Sequence, residues 1–531
     1  MKSKLALLFF LLVGCTLHAQ TIVVSGPQTG VWDADTVLVV GDVTVVDSLS
    51  VVRPGSVVLF DGFFGIDVSR GASFRVESGA DADGITFTVA DTMGFHAYNS
   101  RKGGWNGIRL EKAGKVVIDN CLLQYGKAVD SLDRFGGALR IFRCNDVTIT
   151  NSTLRCNFAR ESGGAVYAID SKVSFDECKI SENKVYNEDG TYAMYGGGAC
   201  FKRCDVEMDR IVFHVNYGPN CIGGAMSLDS CSLLLDHANF GHNIGLNGGG
   251  MYLMRCNHKV CRISNALFND NFAGHFAGAL AFADASPEVY NITVTRNTSA
   301  GVTCEGIFFY QESAPKLTNC IIYGNYPQDT GPGIGDTIQM WLWTYNGFHP
   351  EFRNCLIEKG QASMIIQEPI EVFEDIIDAD PLFLYPEGYY FCLQENSPCI
   401  DAGNLVVPDF MAQGIDLGGM PRVCNGRIDI GAFEYSPSQV PEAPLVCQDA
   451  MLFGNPLSQL SRVEFELGQA GPVTLKVCSM TGCQLVSRSL GRLQAGHQSL
   501  SLSFLAETLK PGLYVIELQT PEKRYTLKAI R

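Results

Sequence analysis

The sequence has few charged residues, few tryptophans and no long apolar segment after its first residues. Charged residues make up 18% of the 531 residues and apolar residues 46%, a composition that excludes an intrinsically disordered chain. The formal net charge of −16 disfavours nucleic acid as a partner, because phosphate binding depends on clustered lysine and arginine. Beyond residue 19 no segment is apolar enough for a membrane-spanning helix, so we expect no membrane span.

Sequence motifs for catalysis and metal binding are also missing. The 20 cysteines include no Cys-x-x-Cys pair and no cysteine–histidine spacing typical of zinc. No nucleophile elbow or triad pattern is present, and the acidic turn Asp81–Asp83 is too small for a calcium site. We therefore predict no catalytic residue, no metal and no cofactor. Most cysteines lie at strand positions as small apolar residues, whereas Cys478 and Cys483 could pair across a hairpin.

The first residues are typical of an export signal. Lys2 and Lys4 precede an apolar run, Leu5–Val13, that is too short to cross a bilayer. The order Leu12-Val13-Gly14-Cys15 fits a lipoprotein signal, whereas Leu17-His18-Ala19 fits ordinary signal peptidase cleavage. We favour the second alternative, which makes residues 1–19 a signal peptide.

The strongest pattern in the sequence is an internal repeat that begins with glycine. A glycine followed by a small or apolar residue and a short strand recurs at intervals of 26 to 34 residues. The members of this column are Gly107, Gly137, Gly164, Gly198, Gly224, Gly250, Gly278 and Gly306. A second strand in each unit alternates apolar and polar residues, as in Val147-Thr-Ile149, which predicts one buried face.

Each repeat ends with an asparagine, and a further asparagine precedes it by six residues in several units. The end column comprises Asn157, Asn183, Asn216, Asn243, Asn271, Asn297 and Asn325. The earlier column contains Asn120, Asn151, Asn265, Asn291, Asn319 and Asn354. Asparagine tolerates the left-handed backbone conformation, and stacked asparagine amides can hydrogen-bond to one another.

These columns predict a solenoid in which like residues stack on like residues. Leucine-rich repeats are excluded because no unit has their leucine signature or a helical segment. A propeller blade needs about 40 residues, more than these units supply. We predict an all-β protein, a right-handed single-stranded parallel β-helix, and this fold resembles that of the pectin-lyase-like proteins. About a dozen coils at ~4.8 Å each would make a rod of roughly 55 Å.

Two parts of the β-helix resemble known families. The Gly-Gly-Ala and Phe-x-x-Asn pairs within residues 136–280 resemble the repeats of chlamydial polymorphic outer-membrane adhesins. Residues 376–435 are similar to a closing module of Bacteroidetes β-helix proteins, on the motifs Asp380–Phe383, Ser397–Gly403, Asp416–Gly419 and Asp429–Glu434. Asp401, Asp429 and Glu434 could be acid–base groups, but we favour a structural role with Arg422 in closing the solenoid.

The last eighty or so residues resemble the C-terminal sorting domain of type IX secretion substrates, a small β-sandwich. The resemblance lies in Leu509-Lys-Pro-Gly512-Leu-Tyr514 and Tyr525-Thr-Leu-Lys528, which makes Gly512, Tyr514 and Lys528 the sorting signal. It implies export by the type IX machinery, removal of the domain by a sortase, and release or attachment to surface lipopolysaccharide. It also implies a secreted or outer-membrane-surface location.

Two insertions interrupt the repeat, and the second carries the candidate binding residues. They span residues 185–195 and 326–349, and insertions in solenoids often lie on the binding face. Trp341, Trp343 and Tyr345 in the second insertion could stack on sugar rings. The alternative is a strand from Ile338 to Trp343 with both tryptophans packed inward.

The predicted organisation is a signal peptide (1–19), N-terminal coils (20–106), repeat coils (107–375), a closing module (376–435), a linker (436–450) and the sorting domain (451–531). The favoured function is non-catalytic binding of a glycan, or of a ligand on a host or neighbouring cell, at the cell surface. The alternative is a carbohydrate-active enzyme, a polysaccharide lyase or glycoside hydrolase, on the same fold, because fold alone does not decide function.

Overall fold

The computed structural model describes residues 20–79, 83–130, 133–187, 194–300, 304–327, 337–384, 391–404, 407–424, 426–436, 451–453, 462–467, 469–479, 484–509, 513–521 and 524–530. The predicted signal peptide, nearly all of the linker, Gly512 and Cys483 lie outside these residues. The chain divides into two compact units. The first is Met1–Ala379 with Ile430–Ala432, and the second is Asp380–Asp429 with Phe433–Arg531.

The first unit is built from short strands separated by turns. Their bounds are β1 (Thr21–Trp32), β2 (Thr36–Val51), β3 (Val57–Phe60), β4 (Ile66–Ser69), β5 (Ser73–Glu77), β6 (Ile85–Val89), β7 (Ile108–Glu111), β8 (Val116–Asp119), β9 (Cys121–Gln124), β10 (Lys127–Ala128), β11 (Leu139–Phe142), β12 (Val147–Thr150), β13 (Thr153–Arg155), β14 (Phe158–Ala159), β15 (Val166–Ile169), β16 (Lys172–Asp176), β17 (Lys179–Ser181), β18 (Lys184–Val185), β19 (Met194–Tyr195) and β20 (Ala199–Lys202).

The strands continue with β21 (Asp205–His214), β22 (Cys221–Ile222), β23 (Met226–Asp229), β24 (Ser232–Gly241), β25 (Ile244–Asn247), β26 (Met251–Met254), β27 (Cys261–Asn269), β28 (Phe272–Phe276), β29 (Leu280–Ala283), β30 (Glu288–Thr295), β31 (Thr298–Ser299), β32 (Ile307–Gln311), β33 (Lys316–Thr318), β34 (Ile321–Tyr323), β35 (Tyr326–Pro327), β36 (Met340–Thr344), β37 (Glu351–Arg353), β38 (Leu356–Ile357), β39 (Met364–Ile366) and β40 (Val372–Glu374). One 3-10 helix, Gly360–Ser363, precedes β39.

Each coil contributes one strand to each of several parallel stacks, which we name sheets A to D. Sheet A contains β4, β7, β11, β15, β20, β23, β26, β29, β32, β36 and β39. Sheet B contains β5, β8, β12, β16, β33, β37 and β40, and sheet C contains β3, β6, β9, β13, β17, β34 and β38.

Longer strands cross from one of these sheets to the next. The strands β21, β24, β27 and β30 run through both B and C, and β1 and β2 supply the opening coils of A, B and C. Sheet D joins C to A through β10, β14, β18, β19, β22, β25, β28, β31 and β35. Chain order and parallel register together make the first unit a parallel β-helix.

Alternation along each strand places one set of side chains inside the coil. In β12, Val147 and Ile149 are buried whereas Thr148 and Thr150 are partly exposed. The same alternation along successive coils gives one continuous apolar core from Val24 to Ile357. Cys121, Cys178, Cys320 and Cys355 are buried free cysteines in this core. They therefore act as small apolar residues.

The glycines of the repeat form two adjacent columns, so the single column predicted from sequence is wrong. One column is Gly137, Gly164, Gly197, Gly224, Gly249 and Gly278, in which an added Cβ would lie 2.1–2.8 Å from the carbonyl oxygen of the next coil. Gly198, Gly250 and Gly306 belong to the neighbouring column. Close approach of successive coils explains glycine in the first column, whereas the neighbouring column also admits alanine, as at Ala138, Ala165 and Ala225. The turn itself uses a preceding glycine, such as Gly163, with φ of 64°.

The two asparagine columns have separate physical roles. Asn120, Asn151, Asn265, Asn291, Asn319 and Asn354 have φ between 48° and 57°, the left-handed conformation that asparagine tolerates. The end-column asparagines instead lie in a single file along the inside of the coil. In that file the residue before the asparagine adopts the left-handed conformation, for example Val215 with φ of 54° and His242 with φ of 56°.

The end-column asparagines form a ladder of hydrogen bonds from coil to coil. The Asn216 backbone N–H and side-chain Nδ2 both donate to Asn243 Oδ1, at 3.0 and 2.9 Å. Asn243 donates to Asn271 at 3.0 and 2.9 Å in the same way. Each Nδ2 also donates to a carbonyl of the preceding coil, as Asn243 does to Phe213 at 2.9 Å. The same pattern links Asn157, Asn183, Asn216, Asn243, Asn271, Asn297 and Asn325.

The closing segment of the second unit is held by buried charges and backbone hydrogen bonds. Arg422 Nη1 donates to Glu434 Oε1 at 2.8 Å, and both side chains are fully buried. Asp429 accepts the backbone N–H groups of Asp401 at 2.7 Å and Tyr435 at 2.6 Å. Burial raises the pKa of Glu434 to about 8 although Arg422 opposes that shift. Asp429 and Glu434 are therefore engaged in holding the chain, and the Asp401 side chain is exposed.

The last part of the second unit is a small β-sandwich with its own core. One sheet contains β41 (Met451–Phe453), β42 (Arg462–Leu467) and β45 (Gly496–Ser501). The other contains β43 (Gly471–Ser479), β44 (Gln484–Leu493), β46 (Leu513–Gln519) and β47 (Arg524–Ile530). The short helix α1 (Asp409–Ala412) lies in the closing segment, and α2 (Ser503–Thr508) lies in the sandwich. The predicted fold class, a parallel β-helix followed by a β-sandwich, is confirmed.

Two residues of the proposed sorting signal lie in the sandwich. Tyr514 is 8% exposed in β46, within the apolar core formed by both sheets. Lys528 pairs with Val515 across β46 and β47. Across the described residues, neither α-helix has the length and apolar character required to cross a lipid bilayer.

The ladder predicts that a single asparagine is important for stability. Asn243→Ala removes bonds to Asn216, Asn271 and Phe213 and leaves buried polar groups without partners. Each such group costs about 1–3 kcal/mol, so we expect destabilisation of at least ~3 kcal/mol. The measurement is the urea midpoint by circular dichroism. Gln367→Ala, which removes an exposed side-chain amide, is the control and should change the midpoint little. Equal midpoints for the two variants would contradict the role of the ladder.

Candidate functional site

The outward face of sheet A carries the two candidate tryptophans. In β36, Met340 and Leu342 point into the core and are fully buried, so the alternating Trp341 and Trp343 point outward. The interpretation with both tryptophans packed inward is therefore wrong. Methionine and leucine occupy the inward positions in register with Ile307 and Phe309 of the preceding coil.

The outward rings are arranged as a continuous aromatic cluster. The rings of Trp341 and Trp343 are stacked, with centroids 5.1 Å apart and planes 10° from parallel. Phe308, in register with Trp341 one coil earlier, lies 5.4 Å from it. Phe276 stacks on Phe308 at 4.9 Å, and Tyr310 meets Trp343 edge-on at 5.7 Å. The two tryptophans are thus held in place by packed aromatic neighbours.

The cluster remains partly open to solvent at one end. Trp343, Ile365 and Ile366 are each 37% exposed, although all three are large apolar side chains. Ile365 lies in register with Trp341 on the next coil, β39, so Trp343 and Ile365 are exposed apolar residues on the outward face of adjacent coils, whereas Ile366 is in register with the inward Leu342. Grouped exposed apolar residues on a rigid element are typical of binding surfaces.

The third candidate, Tyr345, lies one residue past the end of β36. Its carbonyl accepts the N–H of Phe348 at 3.4 Å as the chain turns, and its side chain is half-buried. The structure therefore brings Trp341 and Trp343 together on one strand and places Tyr345 in the following turn.

Sequence reasoning missed the residues that support the tryptophans. Phe308 and Tyr310 could have been found from the alternation of β32, where Ile307 and Phe309 occupy the inward positions. Phe276 comes from the far end of β28 in sheet D and has no local sequence signal. Its ring packs against the buried cluster that contains the small outward residue Ala281 and Phe308.

A buried carboxyl group lies at the edge of the cluster. Glu305 is 2% exposed and occupies the next position of the glycine column, where its carbonyl accepts the Gly278 N–H at 2.8 Å. Its Oε2 accepts the Ile338 N–H at 2.8 Å. Burial raises the pKa of Glu305 to about 7, because its hydrogen bonds do not offset the loss of water.

The opposite end of the same outward face is charged. Asp67, Arg109 and Arg140 lie in register on successive strands of sheet A. Arg109 Nε donates to Asp133 Oδ2 at 2.6 Å, and Arg140 Nη1 lies 3.2 Å from Asp133 Oδ1. Sheet A therefore presents an ion-pair cluster on its early coils and aromatic rings on its late coils.

One group within the described residues has the composition of a metal site. Asp209, Asp236 and His237 place one ligand atom each within 4.8 Å of the others. His237 Nδ1 lies 2.8 Å from Asp209 Oδ1, and Arg210 Nη1 lies 2.5 Å from Asp209 Oδ2. Asp236 Oδ1 accepts from Asn265 at 2.8 Å. These oxygens already have protein partners, so the group is an ion-paired network and we assign it no metal.

The raised pKa of the buried Glu305 predicts that the stability of the coils around it depends on pH. Its pKa in the folded protein, about 7, is above the ordinary value of 4.5, so folding favours the protonated form. The stabilisation from the protonated Glu305 carboxyl is complete below about pH 4.5 and is lost as the pH rises through about 7, an effect on the order of 3 kcal/mol. Glu305→Gln should flatten the change in thermal midpoint between about pH 5 and pH 8. The exposed Glu371→Gln should keep it, and an unchanged slope in Glu305→Gln would contradict the assignment.

Comparison with known proteins gives a structural similarity at low identity. No protein-family model matches the chain, and no curated protein matches its sequence. Among solved structures, it is similar to the tailspike protein gp49 of Acinetobacter baumannii bacteriophage Fri1, a capsular polysaccharide depolymerase. The match is 8% identical and covers 91% of this chain and 73% of the tailspike, with a TM-score of 0.28. A similarity at this level assigns no function.

Proposed function

We propose that this chain is a secreted cell-surface protein whose β-helix binds glycans without cleaving them. The observation that carries the proposal is the pair of stacked tryptophans on the outward face of sheet A, with Trp343 37% exposed. A pyranose ring has an apolar face, and a large aromatic ring offers it a flat apolar surface. The parallel register of β32, β36 and β39 supplies the rigidity such a surface needs.

This surface is suited to a linear chain of sugars. Trp343 and Ile365 lie on the outward face of adjacent coils, and coils in a parallel stack repeat at about 4.8 Å. Successive sugar rings could therefore contact successive strands along sheet A. A glycan of a neighbouring cell or of a host surface is the class of ligand that fits best.

Fluorescence allows a direct test, because the other tryptophans are inside the protein. Trp32 and Trp105 are 3% and 0% exposed, so ligand-induced changes in emission report on Trp341 and Trp343. We expect neutral oligosaccharides from a glycan panel to shift the emission of the natural protein. Trp343→Ala should weaken binding at least about tenfold, a loss of ~1.4 kcal/mol.

The matched control is Val260→Ala, which removes an exposed apolar side chain, 71% exposed, from a turn outside sheet A. It should leave binding unchanged. Equal binding by Trp343→Ala and the natural protein across the panel would refute the proposal.

The charged cluster supports the alternative function, a carbohydrate-active enzyme. Asp67 is exposed, and it lies in register with Arg109 on the outward face of sheet A. Glycoside hydrolysis uses two carboxylates about 5–10 Å apart, and Asp133 is the second acidic group of this cluster. If the natural protein releases new reducing ends from the glycan panel and the Asp67→Asn variant does not, the protein is a carbohydrate-active enzyme. The proposal of non-catalytic binding would then be wrong.

For export, we propose the type IX route. The β-sandwich at residues 451–530 has its own apolar core, and its partners would be the type IX machinery, a sortase and surface lipopolysaccharide. Removal of residues 451–531 should keep the protein in the periplasm, as measured by immunoblotting of fractionated cells. Release of the shortened protein at the normal level would contradict this route.

A further inference from the structure

Three tyrosines surround the ammonium group of Lys184. Lys184 Nζ lies 4.4 Å from the ring centroid of Tyr98, 4.7 Å from that of Tyr217 and 5.4 Å from that of Tyr186. It also donates a hydrogen bond to the Tyr98 hydroxyl at 2.5 Å. We name these four residues the tyrosine–lysine site. Its cation–π contacts hold the ammonium in one place.

The fold assembles the site from distant parts of the sequence. Lys184 begins β18 in sheet D, and Tyr217 forms an isolated parallel bridge to it from the next coil. Tyr98 comes from the segment between β6 and β7, and its ring stacks on Phe158 with centroids 4.8 Å apart. Phe158 lies in register with Lys184 one coil earlier. The site therefore has a rigid base on one side and a connecting segment on the other.

Lys184 differs from other lysines of the β-helix in its partners. Lys172 lies 3.4 Å from Glu207, and Lys316 lies 2.9 Å from Glu351. Lys127 is fully buried and donates to three backbone carbonyls. In the described ranges no carboxylate forms an ion pair with Lys184, and one of its three N–H groups is used by Tyr98. The ammonium therefore has capacity for an anionic partner.

The site is open enough for a ligand. Lys184 and Tyr98 are half-buried, and Tyr217 is 37% exposed. Partial burial lowers the pKa of Lys184 to about 8, which shows that its charge is poorly solvated. A carboxylate placed beside it would favour the charged form, and the exposed Tyr217 ring offers a flat surface next to that charge.

We propose that the tyrosine–lysine site binds the carboxylate of a single acidic sugar residue, with the sugar ring stacked on Tyr217. The acid would accept hydrogen bonds from Lys184 in place of water. The net charge of −16 disfavours long polyanions, so one acidic residue within or at the end of an otherwise neutral glycan fits best. This site lies in sheet D and uses charge. The proposal therefore does not depend on whether the Trp341–Trp343 surface binds glycans.

The test compares two ligands that differ in one charge, methyl β-D-glucuronide and methyl β-D-glucoside, with dissociation constants from saturation-transfer NMR on the full chain. The natural protein should bind the glucuronide at least about tenfold more tightly, and the preference should weaken with added salt. Lys184→Met should remove the preference, and Lys184→Arg should retain most of it. The control Lys172→Met, at a lysine 55% exposed, should behave as the natural protein.

The variants separate a ligand site from a structural clamp. If the tyrosine–lysine site only stabilises the fold, the natural protein should bind the glucuronide and the glucoside equally well. That result would overturn the proposal. Retention of the preference by a folded Lys184→Met also overturns it. If Lys184→Met fails to fold, Tyr217→Leu carries the test, since loss of glucuronide binding supports the site and full binding refutes it. Trp343→Ala should keep the glucuronide preference, so failure at one surface is distinguishable from failure at the other.

Discussion

Hydrogen bonding between successive coils is the constraint on which the rest of this molecule depends. A parallel β-helix brings the same backbone positions of each coil together, so every polar group on the inside must find its partner one coil away. The ladder asparagines meet this requirement with side chains as well as backbone. Asn243 accepts from Asn216, donates to Asn271 and donates to the Phe213 carbonyl. Glycine beside the ladder is the other half of the same constraint, because a Cβ on Gly197 would lie 2.1 Å from the Gly224 carbonyl oxygen.

Because the interior is satisfied coil by coil, the outward faces are free to vary. The outward positions of sheet A change from ion pairs at Arg109 and Arg140 to aromatic rings at Phe308 and Trp341 while the inward positions stay apolar. Sheet D carries a different chemistry at Lys184 and Tyr217. A single rigid framework can thus present separate surfaces for neutral and charged ligands. None of these surfaces has to contribute to the core, which makes substitutions such as Trp343→Ala informative about binding.

Much of the fold could be predicted from sequence, because stacked coils require the same residue types at regular intervals along the chain. The recurrence of asparagine and the alternation in strands such as Val147-Thr-Ile149 follow directly from one residue lying above another. The two glycine columns could not be separated, since Gly197 and Gly198 are neighbours and coil lengths vary. The sequence alone does not decide whether Trp341 and Trp343 point inward or outward, because the inward residues Met340 and Leu342 are also apolar. The tyrosine–lysine site has no local pattern, since Tyr98 and Lys184 are 86 residues apart.

The asparagine ladder joins the coils inside the protein, and hydrogen–deuterium exchange is the most direct test of this role. The backbone N–H groups of Asn216, Asn243 and Asn271 each donate to the side chain of the next ladder asparagine. Peptides that contain them should exchange only on the slow timescale of global unfolding, whereas peptides from the exposed turn around Met93 should exchange quickly. Exchange of the three ladder peptides as fast as that turn would contradict the account.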